Sequence, residues 1–306
     1  EEEFMRLSRK IIFLVVVASL ILAFAGCSGT SAEGEYIIEA NSVSALLANE
    51  NTVLVDMQNP EDYLKSHVKE AVNITRGDIV INEPVANMLA PKETIEQVMG
   101  NNGIGNDTMV IVYDNTSNMD AARIWWTLMV YGHENVKVVS GGLQALQKAG
   151  LEFTAEKTAI TPVKFTAAEK NKNMIASIDD VQRQVNVPKD DIVLLDTRTQ
   201  EEFDQGTIPG SVLFDYAENN NADGTYKSVN AIRMQYNDLN IKPEETVIMY
   251  CKTSVRGAET YLALYNAGYR NLKLFDSAWL GWTSNSSRPI QTLTGNDVEA
   301  NEADAS

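Results

Sequence analysis

Two kinds of hydrophobic patterning alternate along this chain. Short runs rich in β-branched residues are separated by stretches in which apolar side chains recur every three or four positions. In the second half, Ile192–Asp196, 212–214, Thr246–Tyr250 and Leu272–Phe275 read as strands. Residues 178–185 and 255–267 read as helices. Ala258, Tyr261, Leu262 and Tyr265 trace the i, i+3, i+4, i+7 face of the second helix, and Gly268 is a natural stop. In the first half, Ile124, Trp125, Leu128 and Met129 repeat that face ahead of Gly132. Strands alternating with helices predict an α/β fold, each unit a parallel sheet with helices on both faces.

The pattern occurs twice. The segment from Val53-Leu54-Val55-Asp56 to Ile74 aligns without a gap on the segment from Val193-Leu194-Leu195-Asp196 to Phe214, at an offset of 140. Asp56 matches Asp196, Glu61 matches Glu201, Tyr63 matches Phe203 and Val68 matches Ile208. Val110-Ile111-Val112-Tyr113-Asp114 matches Val247-Ile248-Met249-Tyr250-Cys251 at offset 137, and the Gly132 and Gly268 segments match at 136. Preserved order with a slowly drifting offset marks a duplicated domain, too long a unit for a solenoid. The expected division is a leader and signal peptide at 1–26, a tether at 27–34, and a first domain at 35–150. A linker at 151–174, a second domain at 175–290 and a disordered acidic tail at 291–306 complete it. Trp125 and Trp126 are expected in the core.

The amino terminus reads as an address. A basic segment, Met5 to Lys10, precedes a run of 14 residues from Ile11 to Phe24 whose one polar residue is Ser19. That is short of the roughly 20 residues that span a bilayer and suits the apolar part of a signal peptide. Ala25-Gly26-Cys27 follows, similar to a bacterial lipoprotein signal, in which the cysteine is acylated and becomes the first residue. Phe24 departs mildly from the aliphatic residue usual there. An ordinary signal peptide or an uncleaved anchor are the other readings. Glu1 to Phe4 read as a translated leader ahead of a start at Met5. A lipid anchor on Cys27 implies a place in the bacterial cell envelope, outside the cytoplasm, with the membrane as a partner.

Charge narrows the function. Twenty-five basic residues against 42 acidic ones leave a formal charge of -17. So acidic a chain repels nucleic acid, which is excluded as a partner. An anionic substrate must be held by local positive groups. The two cysteines, Cys27 and Cys251, and the two histidines, His67 and His133, lack metal-ligand spacing, so neither a metal nor another cofactor is expected.

Cys251 stands where an open α/β sheet places its chemistry, at the carboxyl end of a strand and ahead of a helix. The intervening Cys251-Lys252-Thr253-Ser254-Val255-Arg256 can curl so that its N–H groups face inward as an anion nest. The helix N-terminus, Lys252 and Arg256 add positive charge, and all of these favour thiolate over thiol. A buried apolar cysteine at a strand end is the competing reading. The catalytic one places the sulfur near the surface, and it fails if the side chain is sealed in hydrocarbon with no inward-facing amides and both basic neighbours pointing away.

At this point the chain resembles the tandem-domain rhodaneses, the thiosulfate/3-mercaptopyruvate sulfurtransferase family. The resemblance covers roughly residues 35–290. The segments beginning at Asp56 and Asp196 resemble the family's aspartate-led motif, and Thr207-Ile208-Pro209-Gly210-Ser211 resembles its His-Ile-Pro-Gly-Ala signature, with Thr207 in place of His. Asp223-Gly224-Thr225-Tyr226-Lys227 resembles a turn in the second domain. Tyr113-Asp114, Arg123 to Trp126 and Gly141-Gly142-Leu143 resemble the non-catalytic first domain, where Asp114 replaces the cysteine. Asp276 to Trp282 resembles the closing segment.

The resemblance implies two tandem rhodanese-like domains and transfer of sulfane sulfur through a persulfide on Cys251. A small donor such as thiosulfate and a thiol or cyanide acceptor are implied as partners, with Lys252, Thr253, Ser254, Val255, Arg256 and Arg198 binding substrate in a monomer. Arg198 reads equally as a salt bridge that holds the fold, and Arg233 as part of a solvated face. Glu202 stands where active members often place a donor-binding arginine and is expected to repel a carboxylate or sulfonate. With the loop's Ser254-Val255-Arg256 ending, this favours thiosulfate or a protein-borne persulfide over mercaptopyruvate. Two other classes remain: a phosphatase or arsenate reductase on the same fold, whose loop is one residue longer, and a non-enzymatic anchored binding protein.

Overall fold

The computed structural model describes residues 34–292. Cys27, the leader and signal segment, most of the tether and the tail beyond Thr292 lie outside the described residues. Two five-stranded sheets, parallel throughout, have the same strand order. The first runs Ile37–Ile38, Val136–Val139, Met109–Tyr113, Thr52–Asp56, Val72–Asn73. The second runs Ile175–Ala176, Leu272–Phe275, Thr246–Tyr250, Ile192–Asp196, Ser211–Leu213. Each central strand is covered on both faces, which accounts for the near-continuous apolar runs Met109–Tyr113 and Thr246–Tyr250. The strand expected at 212–214 lies at Ser211–Leu213, and the helix expected at 255–267 ends at Asn266, before Gly268 with its φ of +101°.

The two halves share a core. The helices Met119–Val130 and Val255–Asn266 pack against each other, one from each half. Between them Trp125 lies 6.1 Å from Tyr261, 5.6 Å from Tyr265 and 5.4 Å from Tyr36, centroid to centroid. Trp125 and Trp126 are both fully buried in a hydrophobic cluster that runs through both halves. Each sheet's other face has its own smaller cluster, around Ile111 and Tyr113 in the first half and around Ile248 and Tyr250 in the second. Polar bonds stitch the seam. Arg123 meets Asp276 at 2.7 Å, Asn118 Nδ2 donates to Asn220 Oδ1 (2.8 Å), and the Tyr226 N–H donates to Ser140 Oγ (2.9 Å).

Residues 151–174 connect the halves but are packed. Phe153–Thr154 pairs antiparallel with His67–Val68, and the Val163 N–H donates to the Gly100 carbonyl at 3.0 Å. Phe165 and Ala167 are buried in the shared core. At the other end, Gln291 exchanges both backbone bonds with Thr207, so the fold extends one residue into the segment expected to be tail. Among the described residues, no helix is long and apolar enough to cross a membrane.

Candidate active site

Cys251 follows the central strand Thr246–Tyr250, and the helix Val255–Asn266 begins four residues later. Ser254 makes the corner with a left-handed backbone (φ 57°), and its buried hydroxyl donates to the Phe275 carbonyl. Two of the loop's carbonyls are bonded to the helix Ala278–Thr283 outside it. The Trp279 N–H donates to Cys251 O at 3.0 Å and the Leu280 N–H to Lys252 O at 3.2 Å. Cys251 is 1% exposed, deeper than the expected position near the surface, with Arg256 beside it. Lys252 is exposed, Thr253 half-buried and Val255 buried. Cavities of about 740 and 490 Å³ open elsewhere, beside Lys69 and Ile160 and beside Val187 and Lys273.

The first half shows what such a loop attracts. Asp114 occupies the place of Cys251, and the bond from Leu143 N–H to Asp114 O (2.8 Å) repeats that from Trp279 to Cys251. The Asp114 carboxylate bends back into its own loop. Its Oδ1 accepts from the amides of Thr116 (3.2 Å) and Asn118 (3.0 Å), its Oδ2 from those of Asp120 and Ala121 (2.9 Å each), and Thr116 Oγ1 adds a bond at 3.0 Å. Two of those amides belong to the first turn of Met119–Val130, where a helix leaves its N–H groups free. This loop is therefore an anion nest, filled in the first half by the chain's own carboxylate.

In the second half the cation beside the sulfur is Arg256. Burial works against its charge, but its bonds to Glu202 and the closeness of Cys251 outweigh this and raise it above the ordinary arginine value. Arg256 Nη1 donates to Glu202 Oε2 at 2.5 Å and Nη2 to Oε1 at 2.9 Å. Those bonds hold the Glu202 carboxyl down at about 2, against the opposing effect of its partial burial. Glu202 also caps its own helix, Gln200–Gln205, in a reciprocal pair with Thr199. The expectation that Glu202 simply repels a donor is corrected: its charge is tied to Arg256. Sequence reading missed the pairing because 54 residues separate the partners.

Arg198 takes the salt-bridge side of its two readings. It is 3% exposed, with Nη2 2.6 Å from Asp196 Oδ2 and 2.6 Å from the Gly206 carbonyl, and its guanidinium lies 4.3 Å from the ring centre of Trp279. Gln58 makes the matching bonds in the first half, to Asp56 Oδ2 (2.8 Å) and the Ser66 carbonyl (3.2 Å). A residue that does the same work in the half lacking a cysteine is bracing the aspartate-led turn.

Around it, Thr207 Oγ1 donates to Asp196 Oδ2 (2.9 Å) and meets the Tyr250 hydroxyl at 2.9 Å, which also accepts the Ile208 N–H at 3.1 Å. In the first half Tyr113 accepts the Val68 N–H at 3.0 Å in the same way. His67 and His133 are buried, and burial lowers His133. Arg233 is exposed and donates to the Ala267 carbonyl (2.6 Å). Among the described residues no three side chains gather as metal ligands.

A model of the rhodanese-like domain matches the chain twice, over residues 39–149 and 177–285. A Haloferax volcanii protein provisionally named a thiosulfate sulfurtransferase is 29% identical, the match covering 76% of this chain and 85% of that protein. The sulfur carrier protein TtuD of Thermus thermophilus is 28% identical over 65% of this chain and 76% of its own length. Among solved structures, a variant of EanB in complex with ergothioneine superposes with a TM-score of 0.79 at 20% identity, covering 86% of this chain and 71% of that one. That likeness is one of fold. With both halves matched, and a cysteine at the strand end of the second half where the first has the nest-filling Asp114, the chain belongs to the rhodanese-like domain family.

Proposed function

We propose that the protein is a sulfurtransferase that moves sulfane sulfur from thiosulfate or a similar donor to a thiophilic acceptor through a persulfide on Cys251. The observation that carries this reading is the pair of equivalent loops. One gathers four amides around a carboxylate, and the other sets a thiol at the same strand end with Arg256 against it. A nest built for negative charge suits both a thiolate and the persulfide anion that replaces it.

The Cys251 thiolate attacks the outer sulfur of the donor. A sulfur–sulfur bond forms, the bond from that sulfur to the sulfonate breaks, and sulfite leaves with the electron pair. Cyanide or a thiol then attacks the terminal sulfur, the enzyme's sulfur–sulfur bond breaks, and the thiolate is restored. Two covalent half-reactions give ping-pong kinetics. The names of the Haloferax and Thermus relatives support this class of chemistry. We place the mature protein, as a monomer, at the cell envelope on a lipid-modified Cys27.

The test is intact mass after thiosulfate, with and without cyanide. Wild type is expected to gain one sulfur atom and lose it to cyanide, and Cys251→Ser to gain nothing. A sulfur atom gained equally by the serine variant overturns the assignment.

A further inference from the structure

The Glu202–Arg256 pair bears on which donor the loop accepts. Arg256 is the cation that lies against the sulfur, and each of its terminal nitrogens gives an N–H to the same carboxylate. The pair is mostly shielded, with side chains 18% and 29% exposed, so its internal attraction is only weakly screened. Glu202 cannot swing away freely, because its carboxylate also accepts the Thr199 N–H at 3.2 Å. A second acid, Asp215, stands within electrostatic reach of both partners. Lys252 is exposed to solvent, where its charge is weakened. The Cys251 sulfur therefore faces side chains whose charges nearly cancel rather than a cationic surround. A dianion gains little there, and a donor with less charge at the transferring end loses little.

We infer that Glu202 is a specificity-determining residue that holds Arg256 beside Cys251 while cancelling its charge, so that the site selects sulfane donors carrying one negative charge or none over dianions. This rests on the sulfurtransferase reading and deepens it. The chemical class indicated is a persulfide or thiosulfonate, in which the sulfane sulfur is attached to a group of low charge. Glu202 need not touch the donor: it acts through Arg256, and its effect scales with the donor's charge.

The experiment compares two donors of the same sulfane sulfur, thiosulfate (a dianion) and benzenethiosulfonate (a monoanion), in wild type, Glu202→Gln and Glu202→Asp. Releasing the Arg256 charge should raise kcat/KM for thiosulfate about tenfold, carried by KM, and for benzenethiosulfonate about threefold, since the gain is proportional to charge. The ratio between donors then shifts toward thiosulfate by about threefold. Glu202→Asp, which keeps the ion pair, should retain the wild-type ratio. A merely structural role would lower both donors alike and leave the ratio fixed, and an unchanged or reversed ratio overturns the inference. Should Glu202→Gln fail to fold, wild type still decides. With the Arg256 charge cancelled, the chain's formal charge of -17 leaves thiosulfate kcat/KM unchanged or rising between low and physiological salt, and a steep fall overturns the inference. If neither donor leaves sulfur on wild-type Cys251, the sulfurtransferase reading itself fails; if sulfur is transferred and the ratio stays put, only the role of Glu202 fails.

Discussion

Asp114 and Cys251 end equivalent strands, and the difference between them is whether the nest is satisfied from within. In the first half the carboxylate closes the loop, so removing it leaves amides in the interior without an acceptor. Asp114 is 2% exposed and holds four of them. Each orphaned buried N–H costs about 1–3 kcal/mol. Asp114→Ala should therefore lower unfolding free energy by roughly 3 kcal/mol or more, read as the urea midpoint at constant slope. A loss below about 1 kcal/mol would mean that the amides find water and that the nest is looser than its bond lengths indicate. At this scale the sequence singled out Cys251, because a cysteine set between a strand end and two basic residues is an arrangement that favours a thiolate. It disclosed neither the Arg256–Glu202 bond nor the commitment of Arg198 to Asp196. Both depend on which way a long side chain turns once the strands are laid side by side.

At the scale of elements, hydrophobic periodicity located the strands and helices closely, because the central strands are buried on both faces and the paired helices bury nearly their whole surface. It did not locate the pairing of Phe153–Thr154 with His67–Val68, which is too short to show a period. Nor did it show that Phe165 in the connecting segment would be core. The turns that follow Val136–Val139 and Leu272–Phe275 illustrate a subtler limit. Gly142 and Ala278 are equivalent and both left-handed, at φ 51° and 55°. A Cβ on Gly142 would lie 2.2 Å from the Asp114 carbonyl, whereas Ala278 carries one at the equivalent turn of the second half. Gly142→Ala must move the backbone of the nest, at a cost of roughly 2 kcal/mol or more, while Ala278→Gly should stay within about 1 kcal/mol of wild type. Thermal unfolding of both variants checks the contrast. Equal losses would show that the two turns differ less than their surroundings indicate.

Across the whole molecule, the shared core makes the halves thermodynamic partners, and one buried acid reports on it. Glu259, in the helix Val255–Asn266, is fully buried and accepts bonds from Asn219 (2.9 Å) and Asn220 (3.0 Å). Asn220 is in turn bonded to Asn118 of the first half. Burial pushes the Glu259 carboxyl up to about 8; the three hydrogen bonds from Asn219, Asn220 and Thr260 oppose this, and the charge of Asp114 adds to it. A carboxyl raised on folding is most favourable to the native state below its unfolded value near 4.5, and that advantage is lost as pH rises through about 8. Wild type should lose on the order of 2 kcal/mol between pH 6 and 9 from this group, and Glu259→Gln, which cannot ionise, should show a correspondingly flatter profile. Because the acid lies on a polar chain that crosses the seam, its ionisation should loosen both halves together. Calorimetry at pH 9 should then show a single transition moving to lower temperature in wild type and moving less in the variant. Two separated transitions, with only the second half responding to pH, would mean that the seam transmits nothing and that each domain carries its own stability.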